Sequence, residues 1–330
     1  MINPKNLSED YNSSGEDDEQ PTVLVVPARS GGTRLDQMIA QELPEYSRSR
    51  LQTWIKEGFV LVDDKQASPS QKLRGLEKIS IFIQPSAEEL AYTPEPIPLN
   101  IIYQDDSLIV IDKPAGLVVH PANGNWSGTL LNGLLHHFPE LKTIPRAGIV
   151  HRLDKDTSGL LVIAKTLIAQ TNLVRQLQSR TVTREYFAIV EGNLEDDDTV
   201  NAPIGRDPRD RTRMAIVETG KEAITHFEVL DNFSHHTLIR CKLETGRTHQ
   251  IRVHMQSIGF PLAGDPIYRN KTSSLPAELR EATMQLERQA LHAERLALQH
   301  PVDNTTVSWE SDIPDDLDNL LNVLEEFEEN

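Results

Sequence analysis

The chain has 330 residues, 38% of them hydrophobic and 25% charged, which is the composition of a soluble protein of one or two domains. No segment approaches the ~20 consecutive apolar residues that a membrane-spanning helix needs, and residues 1–20 lack the pattern of a secretory signal. A single cysteine, Cys241, excludes an internal disulfide and a cysteine-based zinc cluster, so a cytoplasmic protein is expected.

The net charge of −17, taken as a whole, argues against a nucleic-acid partner. Its distribution changes that conclusion. Residues 1–20 carry six acidic residues and one basic residue, and residues 301–330 carry ten acidic residues and no basic one. Residues 21–300 therefore hold 34 acidic and 32 basic residues. A nearly neutral body can present a basic face, so RNA stays open as a partner.

The first segment, residues 1–20, predicts a disordered acidic tail, because it holds too little apolar surface to offset the entropy of ordering. Residues 21–84 predict a small domain of two helices followed by two strands, an ααββ unit. The predicted elements are helices at 34–43 and 47–58 and strands at 59–62 and 77–83. Ser47 is the predicted first cap of the second helix, and Gly58 is its predicted left-handed stop.

Basic residues cluster on the helical part of this unit, at Arg34, Arg48, Arg50 and Lys56. By itself such a group is more typical of a solvated face than of a binding surface. The local sequence nevertheless resembles the S4 RNA-binding domain in the runs 34–36, 47–50 and 58–62. The resemblance implies an RNA-binding unit with Arg48 and Arg50 as substrate-binding residues. Asp63 and Asp64 stand where the family usually has Asn and Gly, which adds negative charge at that turn.

Four prolines between residues 85 and 98 predict a stiff, extended linker. Residues 99–302 then predict a larger α+β domain with a mixed, mainly antiparallel sheet. Strands are predicted at 100–103, 108–112, 159–165, 186–192, 224–233, 237–245 and 290–299. Helices are predicted at 129–138, 167–179, 249–258 and 276–288.

The last segment, residues 303–330, predicts an acidic tail with one short amphipathic helix. Its apolar positions at helical spacing are Leu317, Leu320, Leu321, Leu324 and Phe327. We expect this helix to dock on its own domain, with a partner contact or a plug over the basic face as the alternatives.

The densest group of reactive side chains lies in residues 151–159, immediately before a predicted buried strand. His151, Asp154 and Asp156 offer imidazole and carboxylate groups, which makes a metal-dependent hydrolase one hypothesis. The two basic residues between them would repel a cation and would instead favour an ionised carboxylate acting as a nucleophile. A salt-bridged turn that only orders the strand is the third interpretation, and the loop alone does not decide among them.

A second polar cluster, residues 246–255, predicts a helix with Thr248 as its first cap. Its predicted buried face consists of Ile251, Met255 and Ile258. This face leaves Arg252 at the edge of the core. His249 and His254 are expected to form hydrogen bonds or to contact phosphate, because no carboxylate or thiol accompanies them at metal-ligand spacing.

A third cluster places four guanidinium groups within eight residues, at Arg206, Arg209, Arg211 and Arg213. A loop of this kind can bind RNA phosphates, with Arg206 and Arg213 as candidate contacts. Asp207 and Asp210 equally support a surface loop that neutralises its own charge, and the two interpretations stay open.

Four motifs of the chain resemble those of the RluA/RluD-type RNA pseudouridine synthases in order and approximate spacing. They are residues 112–121, 151–159, 184–192 and 246–254. Together with the S4-like unit the resemblance covers residues 34–300, and this architecture is most similar to the D-type branch that acts on large-subunit (23S) ribosomal RNA. Ala122 departs from the glycine that is usual in the family at that position.

The resemblance implies an isomerase that converts uridine in RNA to pseudouridine. The N-glycosidic bond breaks, the uracil turns, and its C5 atom is joined to C1′ of the ribose. Asp154 corresponds to the catalytic carboxylate, which either attacks the sugar or removes a proton from it. Arg252 would pair with Asp154 and keep it charged. Tyr186 would stack on the flipped-out base and help to remove the proton from C5.

The same resemblance implies how the RNA is held. Ile251 would form the apolar wall of the pocket, and Arg152 would enter the RNA helix or hold its backbone after base flipping. The implied partner is large-subunit ribosomal RNA or its assembly precursor, bound by a monomer without a cofactor or metal. The alternative is a non-catalytic S4-type RNA-binding or ribosome-assembly protein. The joint presence of Asp154, Tyr186 and Arg252 speaks against that alternative.

Overall fold

A computed structural model describes residues 21–85, 87–122, 124–269 and 275–329. Internal contacts divide the chain into two units, with the boundary between Ser86 and Ala87. The acidic tail predicted for residues 1–20 lies outside the described residues. No helix in the described ranges is both long and apolar enough to cross a membrane.

The first unit consists of two helices and a four-stranded antiparallel sheet. Its elements are β1 (Thr22–Val25), α1 (Leu35–Glu42), α2 (Arg48–Glu57), β2 (Val60–Val62), β3 (Lys65–Gln66) and β4 (Lys78–Ile81). The strand order is β1-β4-β2-β3. The two helices and the strands β2 and β4 match the predicted ααββ order. Strand β1 was not predicted, although its residues Thr22–Val25 are mostly β-branched and apolar; it is an edge strand that pairs with β4.

The caps of α2 are those that the sequence predicts. The Ser47 side chain accepts a hydrogen bond from the backbone N–H of Arg50, and Gly58 adopts a left-handed φ of 89°. The buried core of the unit includes Leu35, Ile39, Leu51, Ile55, Ile79 and Ile81. Ile83, the last residue of the strand predicted at 77–83, instead lies beyond the end of β4 and is exposed.

The second unit contains eleven of the strands in the described ranges. They are β5 (Asn100–Gln104), β6 (Leu108–Lys113), β7 (Ser158–Ala164), β8 (Thr183–Glu191), β9 (Asp198–Asn201), β10 (Ile204–Arg206), β11 (Met214–Ile216), β12 (Ile224–Asn232), β13 (His236–Leu243), β14 (Leu291–Gln299) and β15 (Thr306–Glu310). Its helices are α3 (Ala87–Ala91), α4 (Leu130–His137), α5 (Leu167–Gln178), α6 (Gln250–Ser257), α7 (Ala277–Gln285) and α8 (Asp315–Glu329).

The main sheet runs in the order β5-β6-β7-β14-β8-β13-β12-β9, and β15 adds to β14. The pairing of β7 with β14 is parallel, and the other pairings in this sheet are antiparallel. The predicted α+β class with a mixed, mainly antiparallel sheet is therefore confirmed. Strands β9 to β11 and β15 were not predicted, because they are short and partly exposed, and pairing rather than apolar pattern defines them.

Helices cover both faces of this sheet. Along β7, Leu161 and Ile163 point to the core that contains α4 and α6, whereas Leu160 and Val162 point to the core that contains α5. Cys241 is buried in the first of these cores, and burial raises the pKa of its thiol to about 12. Cys241 therefore packs as a small core side chain.

Two segments predicted to lie outside the catalytic domain belong to the second unit. Residues 87–98, predicted as a linker, pack on α4, where the Asn132 side-chain amide donates to the backbone carbonyls of Leu90 and Thr93 at 3.1 and 2.8 Å. Residues 303–330, predicted as a tail, supply β15 and α8. Helix α8 buries Leu317, Leu320 and Leu324, as expected of a helix that docks on its own domain. Both segments have low hydropathy, so no local pattern predicts that they belong to the folded domain. They are ordered by contacts with residues that are distant in the sequence.

Candidate active site

The loop of residues 151–159 enters β7 beside the single parallel pairing of the main sheet. Gly159, with φ of 110°, is paired with Ala293 of β14. A Cβ atom on Gly159 would lie 2.3 Å from the Ala293 carbonyl oxygen, so only glycine allows the two strands to approach this closely. The close pairing fixes the end of the loop that carries Asp154.

A buried lysine holds the middle of this loop. The Lys113 ammonium donates to the backbone carbonyls of Pro114, Leu117 and Lys155 at 2.7, 3.0 and 2.9 Å. Lys113 is fully buried, and burial lowers its pKa to about 7, although the charges of Asp156 and Asp154 oppose that change. Its three donors are satisfied, which ties the end of β6 to the loop.

Residues between α7 and β14, together with His292 of β14, hold the same loop. Arg288 Nη1 donates to the Asp156 carbonyl at 3.3 Å, Gln289 Nε2 donates to Thr157 Oγ1 at 2.9 Å, and Ser158 Oγ lies 3.0 Å from His292 Nδ1. Asp316 at the start of α8 binds Arg288 in turn, at 2.7 Å. The C-terminal helix is thus linked to the loop that carries Asp154.

Replacing Lys113 with Met is expected to destabilise the second unit by about 3 kcal/mol, because the backbone carbonyls of Pro114, Leu117 and Lys155 lose the donor that they share. We also expect lower turnover, since the loop that carries Asp154 loses its anchor. Urea unfolding and steady-state kinetics measure the two effects. Lys155→Met is the matched control, because the Lys155 side chain is exposed and only its carbonyl takes part. Equal stability of the two variants would contradict the anchoring role.

The structure brings Asp154 and Arg252 together. Arg252 Nη1 donates to Asp154 Oδ2 at 3.1 Å, and its other face binds Asp265 in a bidentate manner, at 2.7 and 2.9 Å. Arg252 is only 4% exposed. Burial opposes its charge, but hydrogen bonds and the charges of Asp265 and Asp154 raise the pKa of Arg252 above its ordinary value. Arg252 is therefore a fixed cation beside Asp154.

Sequence analysis did not identify Asp265, which positions Arg252. Its Oδ1 atom accepts hydrogen bonds from the backbone N–H groups of Ile267 and Tyr268, at 2.8 and 3.0 Å. Burial opposes its charge, but hydrogen bonds from Arg252 and these amides lower the pKa of Asp265. The local sequence Gly264-Asp265-Pro266 is typical of a turn, and nothing in it predicts an ion pair.

Tyr186 and Ile251 line a narrow pocket of about 40 Å³ together with Asp154 and Arg252. Tyr186 lies on β8 and Ile251 in the first turn of α6, and both are at least 95% buried. Burial raises the pKa of the Tyr186 phenol, and the charge of Asp154 acts in the same direction. The pocket combines an apolar wall, an aromatic ring and one carboxylate whose charge is compensated by a buried arginine.

His249, rather than Thr248, is the N-cap of α6. It has a left-handed φ of 56°, and its Nδ1 atom lies 2.8 Å from the Tyr268 hydroxyl. Its Nε2 atom is 4.0 Å from Asp154 Oδ2. The side chain of Gln250 accepts a hydrogen bond from the backbone N–H of Arg247 at 2.9 Å, which ties the segment before the helix to its first residue.

His254 forms hydrogen bonds, which is one of the two roles expected of it. Its Nδ1 atom lies 2.9 Å from the Thr225 hydroxyl and its Nε2 atom 3.0 Å from the Ala202 carbonyl, and the side chain is fully buried and so inaccessible to phosphate. The prediction for the C-terminal end of α6 is wrong. Ile258, predicted in the buried face, is the C-cap residue and is 38% exposed, because the helix ends before it.

His151 does not face Asp154. Its Nε2 atom accepts a hydrogen bond from the backbone N–H of Val162 at 3.0 Å, and burial lowers its pKa to about 3. The side chain thus orders the loop against β7. Within the described ranges, His, Cys, Asp and Glu form no group of three or more arranged to hold a metal ion. The metal-hydrolase hypothesis therefore lacks the ligand set that it requires.

The arginines predicted to bind RNA occupy different environments. Arg152 is exposed at the mouth of the pocket. Arg206 lies at the end of β10, where it donates to the Arg211 carbonyl at 3.1 Å. Arg213 donates to the Ile267 carbonyl at 2.6 Å and stacks on Tyr268, which contacts His249. The hairpin of β10 and β11 therefore adjoins the pocket.

In the first unit the two predicted RNA-binding arginines take part in internal contacts. Arg48 Nη2 binds the fully buried carboxylate of Asp36 at 2.8 Å, and the hydrogen bond of Asp36 to Arg34 lowers its pKa below the ordinary value. Arg50 stacks on Tyr46 and Trp54, with its guanidinium carbon 5.0 Å from each ring. Arg48 keeps about half of its side chain exposed and can still meet a phosphate.

The chain matches the model of the RNA pseudouridylate synthase family over residues 107–257 and that of the S4 domain over residues 33–77. It is 54% identical to a ribosomal large subunit pseudouridine synthase D of Neisseria meningitidis, in an alignment that covers 98% of this chain and 87% of that protein. The protein of the same name from Nitrosomonas europaea is 55% identical, over 96% of this chain and 91% of that protein. The one from Pseudomonas aeruginosa is 49% identical, over 92% of this chain and 96% of that protein.

Two human structures are similar in fold. The human RNA pseudouridylate synthase domain containing 4 is 24% identical, with a TM-score of 0.54, over 68% of this chain and 93% of that chain. The human RNA pseudouridylate synthase domain containing 1 is 25% identical, with a TM-score of 0.52, over 74% and 98%. These similarities concern the fold of the chain.

Proposed function

The chain belongs to the family of RNA pseudouridylate synthases, and on this premise we propose that it isomerises specific uridines of large-subunit ribosomal RNA to pseudouridine. The relatives reported above carry this substrate in their names, at 49 to 55% identity over most of the chain. We further propose that it acts as a cytoplasmic monomer on this RNA or on its assembly precursor.

The observation that supports this proposal best is the pairing of Asp154 with a buried, doubly bound arginine. Arg252 Nη1 lies 3.1 Å from Asp154 Oδ2 and so places a buried cation beside the negative charge that either proposed role of Asp154 at the ribose uses. Asp265 is buried and holds the Arg252 guanidinium beside Asp154. A non-catalytic RNA-binding protein would have no use for a cation held at that position. The arrangement therefore favours catalysis over the alternative of a purely structural RNA-binding protein.

The isomerisation is balanced within the substrate. The bond between N1 and C1′ breaks, a bond between C5 and C1′ forms, the proton on C5 leaves, and N1 gains one. We assign Asp154 to the ribose, where it attacks C1′ or removes the C2′ proton. Ile251 and Tyr186 enclose the flipped uracil, and the apolar wall lets the detached base turn without leaving the pocket.

Tyr186 has two proposed tasks, which are stacking on the base and removing the proton from C5. Burial raises the pKa of its phenol, so the side chain is neutral before RNA binds. The neutral ring is sufficient for stacking on the base. Removal of the proton from C5 takes place later, as charge develops in the bound base. Arg152 at the mouth, with Arg206 and Arg213 of the adjoining hairpin, would hold the RNA backbone after base flipping.

The test of the proposed function is to map pseudouridines in large-subunit ribosomal RNA from cells with and without the gene. We expect specific pseudouridines to disappear without the gene and to return when purified protein is added to that RNA. Identical maps would refute the proposal.

Removing residues 1–86 is expected to raise KM for large-subunit ribosomal RNA by about tenfold or more, and to change kcat much less. The first unit is remote in sequence from Asp154 and supplies part of the proposed RNA surface. Steady-state kinetics of the two proteins at several salt concentrations measure the effect, and we expect a shallower salt dependence for the truncated protein. Equal KM and equal salt dependence would count against targeting by the S4-like unit.

A further inference from the structure

A second, larger cavity adjoins the catalytic pocket. It has a volume of about 870 Å³ and shares Arg152, Arg184, Gly246 and Arg247 with the wall of the pocket that contains Asp154. Volumes of this size accommodate a nucleotide with space to spare. No step proposed for Asp154, Tyr186 and Arg252 uses this cavity.

The lining of the cavity is strongly basic in a chain whose net charge is −17. The arginines that line it are Arg146, Arg152, Arg180, Arg184 and Arg247. The one acidic residue of the lining is Glu244, and its carboxylate is already bound by Arg180 at 3.0 Å and by His226 at 2.8 Å. The cavity is therefore suited to an anionic ligand.

Arg184 is the residue of this lining that most requires an anion. It is 7% exposed, and burial lowers its pKa. One terminal nitrogen donates to the Glu244 carbonyl at 3.1 Å, whereas its Nε atom has no hydrogen-bond partner in the described residues. A buried guanidinium bound only by carbonyls is costly, and a phosphate oxygen would compensate its charge.

Beyond the arginines, the cavity is apolar and partly aromatic. Leu131, Ile149 and Val174 form its apolar wall, and Tyr92 and Trp126 are exposed or half-exposed in its lining. An apolar and aromatic chamber behind arginine side chains is the arrangement by which proteins bind the bases of single-stranded RNA.

We propose that this cavity binds the unstacked base of a nucleotide that neighbours the target uridine, with the phosphate between the two nucleotides at Arg184. The proposal rests on the proposed function, since it assumes that a uridine occupies the pocket of Asp154. Arg184 lines both cavities, so a single phosphate there would connect the two bases. The enzyme would then recognise two adjacent nucleotides rather than one.

The test fills the cavity with Val174→Trp. The matched control is Ile168→Trp on the same helix, where the side chain is 76% exposed and lies outside the cavity. The substrate is a synthetic RNA hairpin that contains the mapped target uridine, and wild-type activity on it tests the proposed function separately. We expect Val174→Trp to raise KM about tenfold with kcat within twofold, and Ile168→Trp to match wild type.

A second arm identifies the nucleotide. Each neighbour of the target is replaced in turn by an abasic residue, and KM is measured for wild type and for Val174→Trp. We expect one abasic position to raise the wild-type KM about tenfold and to leave that of Val174→Trp unchanged. If Val174→Trp unfolds at a lower temperature than wild type, Trp126→Ala takes its place in the same cycle. Unchanged KM in the variant, or independent effects of the two changes, would overturn the proposal.

Discussion

Asp154→Asn is expected to lower kcat by about 10⁴-fold or more while RNA binding stays within twofold of wild type. Asparagine has the shape of aspartate and can still accept a hydrogen bond from Arg252, but it lacks the charge that attack on the ribose or proton removal requires. The measurements are single-turnover conversion of ribosomal RNA and equilibrium binding of the same RNA.

The matched control for this substitution is Asp156→Asn, two residues further along the same loop. The Asp156 backbone carbonyl binds Arg288, and this contact survives the substitution. We expect the control to retain turnover within about threefold, the level typical of a surface charge removed from a loop. Substantial turnover by Asp154→Asn, or equal losses in the two variants, would refute the assignment of Asp154.

Arg252→Met is expected to destabilise the second unit by about 3–5 kcal/mol, because it leaves the fully buried Asp265 carboxylate without its cation. Turnover should also fall, since Asp154 loses the same partner. Arg252→Lys should be intermediate, because an ammonium keeps the charge but does not form the bidentate contact with Asp265. Asp265→Asn in the Arg252→Met background should recover part of the stability.

The pH dependence of stability separates loss of the ion pair between Arg252 and Asp265 from a simple loss of packing in Arg252→Met, because packing alone does not depend on pH. In the wild type the pKa of Asp265 is lowered, so its contribution to stability is present above about pH 4 and is lost as the pH falls through the lowered value. In Arg252→Met the Asp265 carboxylate keeps the hydrogen bonds from the Ile267 and Tyr268 amides but loses its cation, and protonation relieves the cost of burying the charge. Urea unfolding between pH 5 and 8 should therefore show that this variant becomes more stable as the pH falls, whereas an unchanged pH profile would contradict the pairing.

The predictability of the elements follows from how each one is stabilised. Helices α2, α5 and α6 could be predicted to within one or two residues because apolar periodicity is a local signal, and in α2 the caps at Ser47 and Gly58 are local signals as well. Strand β15 and the helix α3 could not, since their positions depend on β14 and on the Asn132 side chain. Low hydropathy made both segments resemble a linker or a tail.

The candidate site shows the same division. Asp154, Tyr186 and Arg252 were predicted through motifs, and the structure places them around one pocket. Asp265 and Arg184 were not predicted as site residues, because their importance lies in what surrounds them. Arg48 is the converse case, because it was predicted as an RNA contact and the structure adds a second role. Its guanidinium forms an ion pair with the buried Asp36.

By itself the sequence determined the periodic elements, the absence of an internal disulfide, the confinement of most of the net negative charge to the two ends, and a resemblance that predicted the family. These properties are local or additive, so they can be read without knowing which segments meet. The tertiary structure alone decided which charges are paired. The parallel pairing of β7 with β14 joins segments about 130 residues apart, and Arg252 reaches Asp154 across 98 residues. Partners at such separations depend on chain topology and on the cost of burying charge, and neither leaves a pattern in local spacing.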